Sequence, residues 1–355
     1  MFLAWNEIKN NKLRFILIIG VLTLVSYLVF FLSGLANGLE NLNREAVDKW
    51  DGDAIILKAE ADVSLPQSSM TLDDYDGNGA NEYAVLGQIY LIATSGESKS
   101  NVSIFGIRED EFIMPEVTEG EPFINLGEVI ADDSLKAVGF EIGDVLQLSS
   151  VDEILTIVGF TDNAKFNASP VLYGSLDTLQ TIRFSAAAET GDLQINGFVI
   201  RTDSIENISV NEELQVIDTK TFIESMPGYS EQSLTLTLMI YFLFVISSVI
   251  LAIFLYVLTI QKISIFGVMK VQGISSSYLA NSVIAQTFLL SFAGVVIGFL
   301  LTIITGYFLP SAVPVSFDYL DMLIYGIVLV FVSILGALFS IQTIVKIDPL
   351  KAIGG

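Results

Sequence analysis

Four stretches of the chain are almost unbroken in apolar character, and what lies between them is patterned differently. Residues 15–36, 234–260, 282–309 and 322–341 each reach the roughly 20 residues that an α-helix needs to cross a hydrocarbon core about 30 Å thick. They predict four membrane-spanning helices. Residues 37–233 instead alternate short β-rich runs, among them AIILKA, EYAVLGQIYLIAT, NVSIFGI, EILTIVGF and GFVIR, with turn clusters. That alternation predicts an α+β domain inserted between spans one and two, with helices over 128–138 and 174–184. Leu39, Leu42, Ala46 and Lys49 keep a spacing of three to four, so the first helix is predicted to run on to about Trp50.

Three shorter segments complete the pattern. Phe2, Trp5 and Ile8 recur at helical spacing beside Lys9, Lys12 and Arg14, which predicts an interfacial helix over 1–14; a basic end that only sets topology is the plainer alternative. Residues 261–281 hold the amphipathic segment QKISIFGVMKVQGISSSYL, longer than a simple reversal requires and free of acidic residues. It predicts a short helix lying on the membrane surface. Residues 310–321 form a loop, and 342–355 a tail.

Charge orients these pieces. The 355-residue chain has a formal charge of −23 and a mean hydropathy of +0.63, so charge and apolar residues must be segregated. All but four of the 40 acidic residues fall in 37–233. The segments 1–14, 261–281 and 342–355 carry seven basic residues against Glu7 and Asp348, whereas the 310–321 loop has Asp318 and Asp321 and no cation. The positive-inside rule places both termini and 261–281 in the cytoplasm, and the acidic domain outside. The expected location is the cell membrane, multi-pass, with span one a retained anchor rather than a cleaved signal.

Composition excludes several chemistries. The chain has no Cys, so the inserted domain folds without disulfides, and no His, which removes the commonest metal ligand and every His-based triad. No G-x-x-x-x-G-K-[ST] loop is present, and the acidity of the domain argues against nucleic acid. No catalytic residue and no permanently bound cofactor or metal is expected. In DDYDGNGANE, Asp74, Asp76, Asn78 and Gly79 match the opening of a calcium loop, but the twelfth position is Val85; an acidic turn explains the same letters. Gly34 and Gly38 read equally as a helix-packing pair or as caps at a helix exit.

The order of four spans with one large domain between the first two, together with KISIFGVMKVQGISSSYLANSVIAQTFLLSFAGVVIGFLL and the ending KIDPLKAIGG, resembles ABC-transporter permeases of the macrolide-exporter and lipoprotein-release superfamily, type VII. The opening MFLAWNEIKNNKLRF and the exit SGLANGL are most similar to the Gram-positive haem-exporter subgroup. The resemblance implies that 261–281 is a coupling helix docking on a separate cytoplasmic ATPase, which supplies ATP and Mg. Ile265, Phe266 and Met269 would offer an apolar knob, Lys262 and Lys270 would stay at the headgroups, and Gly273 would end the helix. A permease homodimer embedded in lipid is also implied, with Gly294 and Gly298 packing within or between protomers.

If haem is the cargo, iron must be met by Tyr, carboxylate or Met, since His and Cys are absent. The expected contacts are Glu40 and Glu45 after span one, facing Tyr229 and Glu231 before span two, with Tyr173 and Met70 as further candidates from the domain. The leading reading is an exporter that takes an amphiphile, haem by resemblance, from the outer leaflet by lateral entry. The alternatives are an exporter of a peptide, antibiotic or lipid, and a signalling permease that transmits ATP-driven motion to an outer partner.

Overall fold

The computed structural model describes residues 12–184, 193–261, 263–310 and 313–345. Residues 1–11 of the expected interfacial helix, Lys262, and residues 346–355 of the tail therefore lie outside the described residues. The chain opens with a 39-residue helix, α1 (Lys12–Trp50). Strands follow: β1 (Ala54–Lys58), β2 (Met70–Thr71), β3 (Glu82–Ser95), β4 (Ser98–Ile107), β5 (Glu119–Gly120), β6 (Glu128–Asp132), β7 (Val145–Leu148), β8 (Ile154–Thr161), β9 (Lys165–Phe166) and β10 (Ser169–Ser175). After α2 (Leu176–Phe184) come β11 (Gln194–Ile195), β12 (Gly197–Arg201), β13 (Leu214–Asp218) and α3 (Thr219–Glu224). The chain then turns wholly helical, with α4 (Tyr229–Gln261), α5 (Ile263–Val271), α6 (Ser276–Phe308) and α7 (Tyr319–Val345). It divides into a helical unit and an inserted unit, Glu40–Gln232.

In the helical unit, α1, α4, α6 and α7 are long and apolar enough to cross a membrane. Two buried clusters tie them together. Phe15, Ile18 and Leu22 of α1 pack with Leu251, Leu255, Leu290 and Ala337, and Val25 and Val29 pack with Ile240, Phe244 and Leu329. Without a hydrophobic drive between helices in lipid, close backbone approach must do more of the work. Gly294 and Gly298 supply it: a Cβ on either would lie 2.6 Å from Leu22 Cβ and 2.7 Å from Ser26 Cβ. This pair packs within the chain. Gly34 and Gly38 serve a third purpose that neither sequence reading contained. They make room for the loop before α7, where a Cβ would collide with the Phe317 ring and the Pro314 carbonyl, and Ser316 N–H donates to the Gly34 carbonyl at 2.9 Å.

The inserted unit is α+β. Its principal sheet runs β13-β1-β12-β3-β4-β10-β6-β8-β5, and β7 pairs with both β3 and β8. That double pairing closes β3, β4, β10, β6, β8 and β7 into a ring, whose interior holds Val102, Ile104, Val129, Leu146, Leu155, Ile157 and Leu172. A second core lies where the end of α1 packs on the sheet: Trp50 stands 6.0–6.3 Å from the rings of Phe105, Phe166 and Phe222.

The helix predicted over 128–138 is a correction. Glu128–Asp132 is strand β6, parallel to β8 and antiparallel to β10, and only Asp133–Val138 is helical, as a 3-10 turn. Val129, Ile130 and Ala131 are buried on both faces of the sheet, and such a short unbroken apolar run cannot be told from a helix by periodicity. The helix predicted over 174–184 is α2, from Leu176 to Phe184.

Candidate functional site

Helix α5 is built by local rules. Gly273, at φ +91°, closes it in a Schellman motif: its N–H donates to the Lys270 carbonyl and Ile274 N–H to that of Met269, each at 3.0 Å. Ser275 then caps α6, its side chain accepting from Tyr278 N–H at 3.2 Å. Of the three residues expected to form an external knob, Phe266 is corrected. It is buried against Leu279 and Val283 of α6, with Ile263, Met269 and Ile274 packed around it. The apolar face left open is Ile265, Val268 and Val271. The segment is apolar on two sides of the helix, so hydrophobicity alone did not distinguish the anchoring side from the presenting one. Lys270 is half-buried.

The expected haem contacts separate into different places. On α1, Glu40, Arg44 and Asp48 follow one another at spacings of four and share a face. Asp48 takes two hydrogen bonds from the Arg44 guanidinium, at 2.7 and 2.6 Å. The Tyr229 hydroxyl neighbours both Arg44 and Glu40. The Tyr229 ring is buried in the domain core beside Met226 and Phe222, so its phenol reaches the surface only through this charged face. Glu231 is exposed, two positions further along the first turn of α4.

Glu45 does not join them. Five residues from Glu40, it points about 140° away around a 3.6-residue helix, toward the 161–168 turn. Burial pushes its carboxyl up, Lys165 opposes that, and Asp132 adds to it. Lys49, one turn on, donates to Thr161 Oγ1 at 2.6 Å and to Asp162 Oδ1 at 3.1 Å. These contacts lie within the inserted unit and hold residues 45–49 against the 161–168 turn.

Tyr173 and Met70 are core residues, 0% and 2% exposed. Tyr173 stands edge-on to Phe105 at 5.7 Å, and burial drives its hydroxyl far above the ordinary tyrosine range. Neither reaches solvent without unfolding its surroundings. Asp74 is spoken for as well: it accepts from Thr71 N–H at 2.7 Å and pairs with Lys58 at 3.3 Å. Among the described residues no three or more of His, Cys, Asp and Glu come together as a metal-ion cluster. Arg44 is the member of the Glu40 face that the sequence reading passed over, although the Glu-x-x-x-Arg-x-x-x-Asp spacing was there to be read.

The family described as FtsX-like permease C-terminal matches residues 237–349. A Staphylococcus epidermidis protein, named as the hemin transport system permease HrtB, is 25% identical over 359 residues, covering 100% of this chain and 99% of its own. An uncharacterized ABC transporter permease of Mycobacterium tuberculosis is 23% identical over 365 residues, with the same coverage of both chains. The periplasmic region of MacB from Actinobacillus actinomycetemcomitans aligns with 49% of this chain and 92% of its own, at 13% identity and a TM-score of 0.35. Residues 237–349 thus form an FtsX-like permease domain, and along its whole length the chain is similar to proteins named as transport permeases.

Proposed function

We propose that the chain is the permease subunit of an ATP-driven exporter whose cargo is haem, taken from the membrane beside the inserted domain. The observation that carries this reading is similarity along the whole chain, not only the helical domain, to a permease named for hemin transport. That similarity takes in the inserted domain, Glu40–Gln232, as well as the helices. ATP hydrolysis belongs to a separate ATPase that docks on Ile265, Val268 and Val271, and both termini and α5 are cytoplasmic. A second copy of the chain pairs along α1, where Leu13, Leu17 and Leu24 flank Gly20, beside which a Cβ would meet nothing within 4 Å.

Within this reading the haem contacts reduce to Glu40, Arg44, Tyr229 and Glu231. Haem propionates need a cation, and Arg44 offers one; iron needs an oxygen ligand, and the Tyr229 phenol or a carboxylate offers that. The face must open for the phenol to be reached, which suits a transporter that exposes its site in only part of its cycle. Tyr229→Phe keeps the ring in the core and removes the oxygen. Combined with Arg44→Gln, it should lower haem bound by the purified permease, read from the haem absorbance band, roughly tenfold or more. Unchanged absorbance in the double variant would remove this site; no haem binding by the wild-type permease together with its ATPase would remove the cargo.

A further inference from the structure

Around β8 the inserted domain carries apolar side chains that the rest of the domain leaves uncovered. Ile124 and Leu126 are 71% and 64% exposed, Ile154 58% and Val145 49%. They form one patch. Val145 pairs with Thr156, two residues along the strand from Ile154, so Val145 and Ile154 stand on the same face of the β7–β8 pair. Leu126 is brought alongside because Thr156 N–H donates to the Gly127 carbonyl at 2.8 Å.

The patch is held in place. The Glu128 carboxylate accepts from the N–H groups of Ile124 and Asn125, each at 2.8 Å, and from Asn125 Nδ2 at 2.7 Å. A slack loop would fold its apolar side chains down onto the domain. This one is tied with two of them in water, and contiguous exposed apolar surface of that kind marks interaction sites. Its border is acidic: Glu121, Glu141, Asp144 and Asp152 adjoin it in the chain. Between residues 109 and 164 the sole basic residue is Lys136. Lys136 is bound to Glu119 and sits 4.5 Å over the Phe160 ring, so the border keeps its negative charge.

We propose that this patch docks a polypeptide segment of a partner, apolar on one side and flanked by Lys or Arg. Complementary charge selects that occupant. A second copy would bring one acidic border against another, and an anionic lipid surface would be repelled in the same way.

The test uses the full chain in phosphatidylcholine nanodiscs and a fluorescein-labelled helical peptide of Leu and Lys, with empty nanodiscs as the blank. Anisotropy should report binding that weakens as salt rises and falls roughly tenfold in Leu126→Ser/Ile154→Ser. Both positions are exposed, so the variant should elute from size exclusion as the wild type does. Glu128→Gln keeps every apolar group but loosens the turn, and should weaken binding several-fold. Equal binding by the double variant, or equal affinity for a peptide with Glu in place of Lys, would overturn the proposal. So would a disulfide-linked dimer of the Leu126→Cys protein, which would put a second copy on the patch. Quenching of a probe on that same variant by brominated lipid would put the bilayer there, with the same consequence.

Discussion

Phe266 and Ile265 are neighbours with opposite duties. Phe266 anchors α5 to α6, while Ile265 faces away from that contact. Phe266→Asp should therefore lower the yield and melting temperature of the permease itself, because a charge enters a packed apolar contact. Ile265→Asp or Val268→Asp should leave both unchanged and abolish co-purification with the ATPase. An Ile265→Asp protein that still co-purifies and transports would remove the docking face. Asp74 is held by the Thr71 N–H and by Lys58. Burial works to raise its pKa, but Thr71 N–H and Lys58 outweigh that and hold it below the usual value. A carboxyl lowered in the folded state stabilises above its unfolded pKa of about 3.9, and that contribution is lost as pH falls through the folded value. Asp74→Asn should cost about 1 kcal/mol at neutral pH and flatten the acid limb of the stability curve. Calcium should shift the melting temperature of neither protein; a calcium-dependent rise in the wild type alone would restore the loop reading.

Among the elements, the long helices were legible because a span must be apolar for some 20 residues, and no other soluble element imitates that. The run of α1 to Trp50 was legible too, from a 3–4 rhythm that continues after the apolar window ends. What stayed hidden depended on contacts between elements. A short strand buried on both faces, β6, reads like a helix turn; the two sides of α5 differ only in what α6 covers. Gly34 and Gly38 needed the position of Phe317 before their smallness had a reason. Gly294 and Gly298, by contrast, carry a direct prediction. Gly298→Leu must push α6 off Ser26 of α1, and overpacking of this kind typically costs about 1–3 kcal/mol. Thermal unfolding in nanodiscs should show the loss, and Ala at the same position should show less. Equal stability of all three proteins would mean that α1 and α6 do not pack as described.

At the scale of the molecule, composition already separated an acidic, sheet-rich domain from a helical unit with its cations at one end of the spans. The closing of the sheet into a ring by β7 was not legible, since pairing partners far apart in sequence leave no local mark. The orientation rests on charge, and thiol labelling tests it: an Asp318→Cys protein should react with a membrane-impermeant reagent added to whole cells, and a Ser276→Cys protein should not. The native chain has no Cys, so the background is clean. Reversed labelling would invert the topology and remove the ATPase from α5. Pairing of copies along α1 predicts a disulfide-linked dimer of the Gly20→Cys protein under mild oxidation. On the function proposed above, ATP hydrolysis in a partner drives haem out of the membrane through this permease. The most direct measurement reconstitutes the chain with its ATPase in haem-loaded liposomes and follows transfer to apomyoglobin outside. Transfer should require ATP and disappear in the Val268→Asp protein. Transfer at the same rate with and without ATP, while the ATPase remains bound and active, would contradict it.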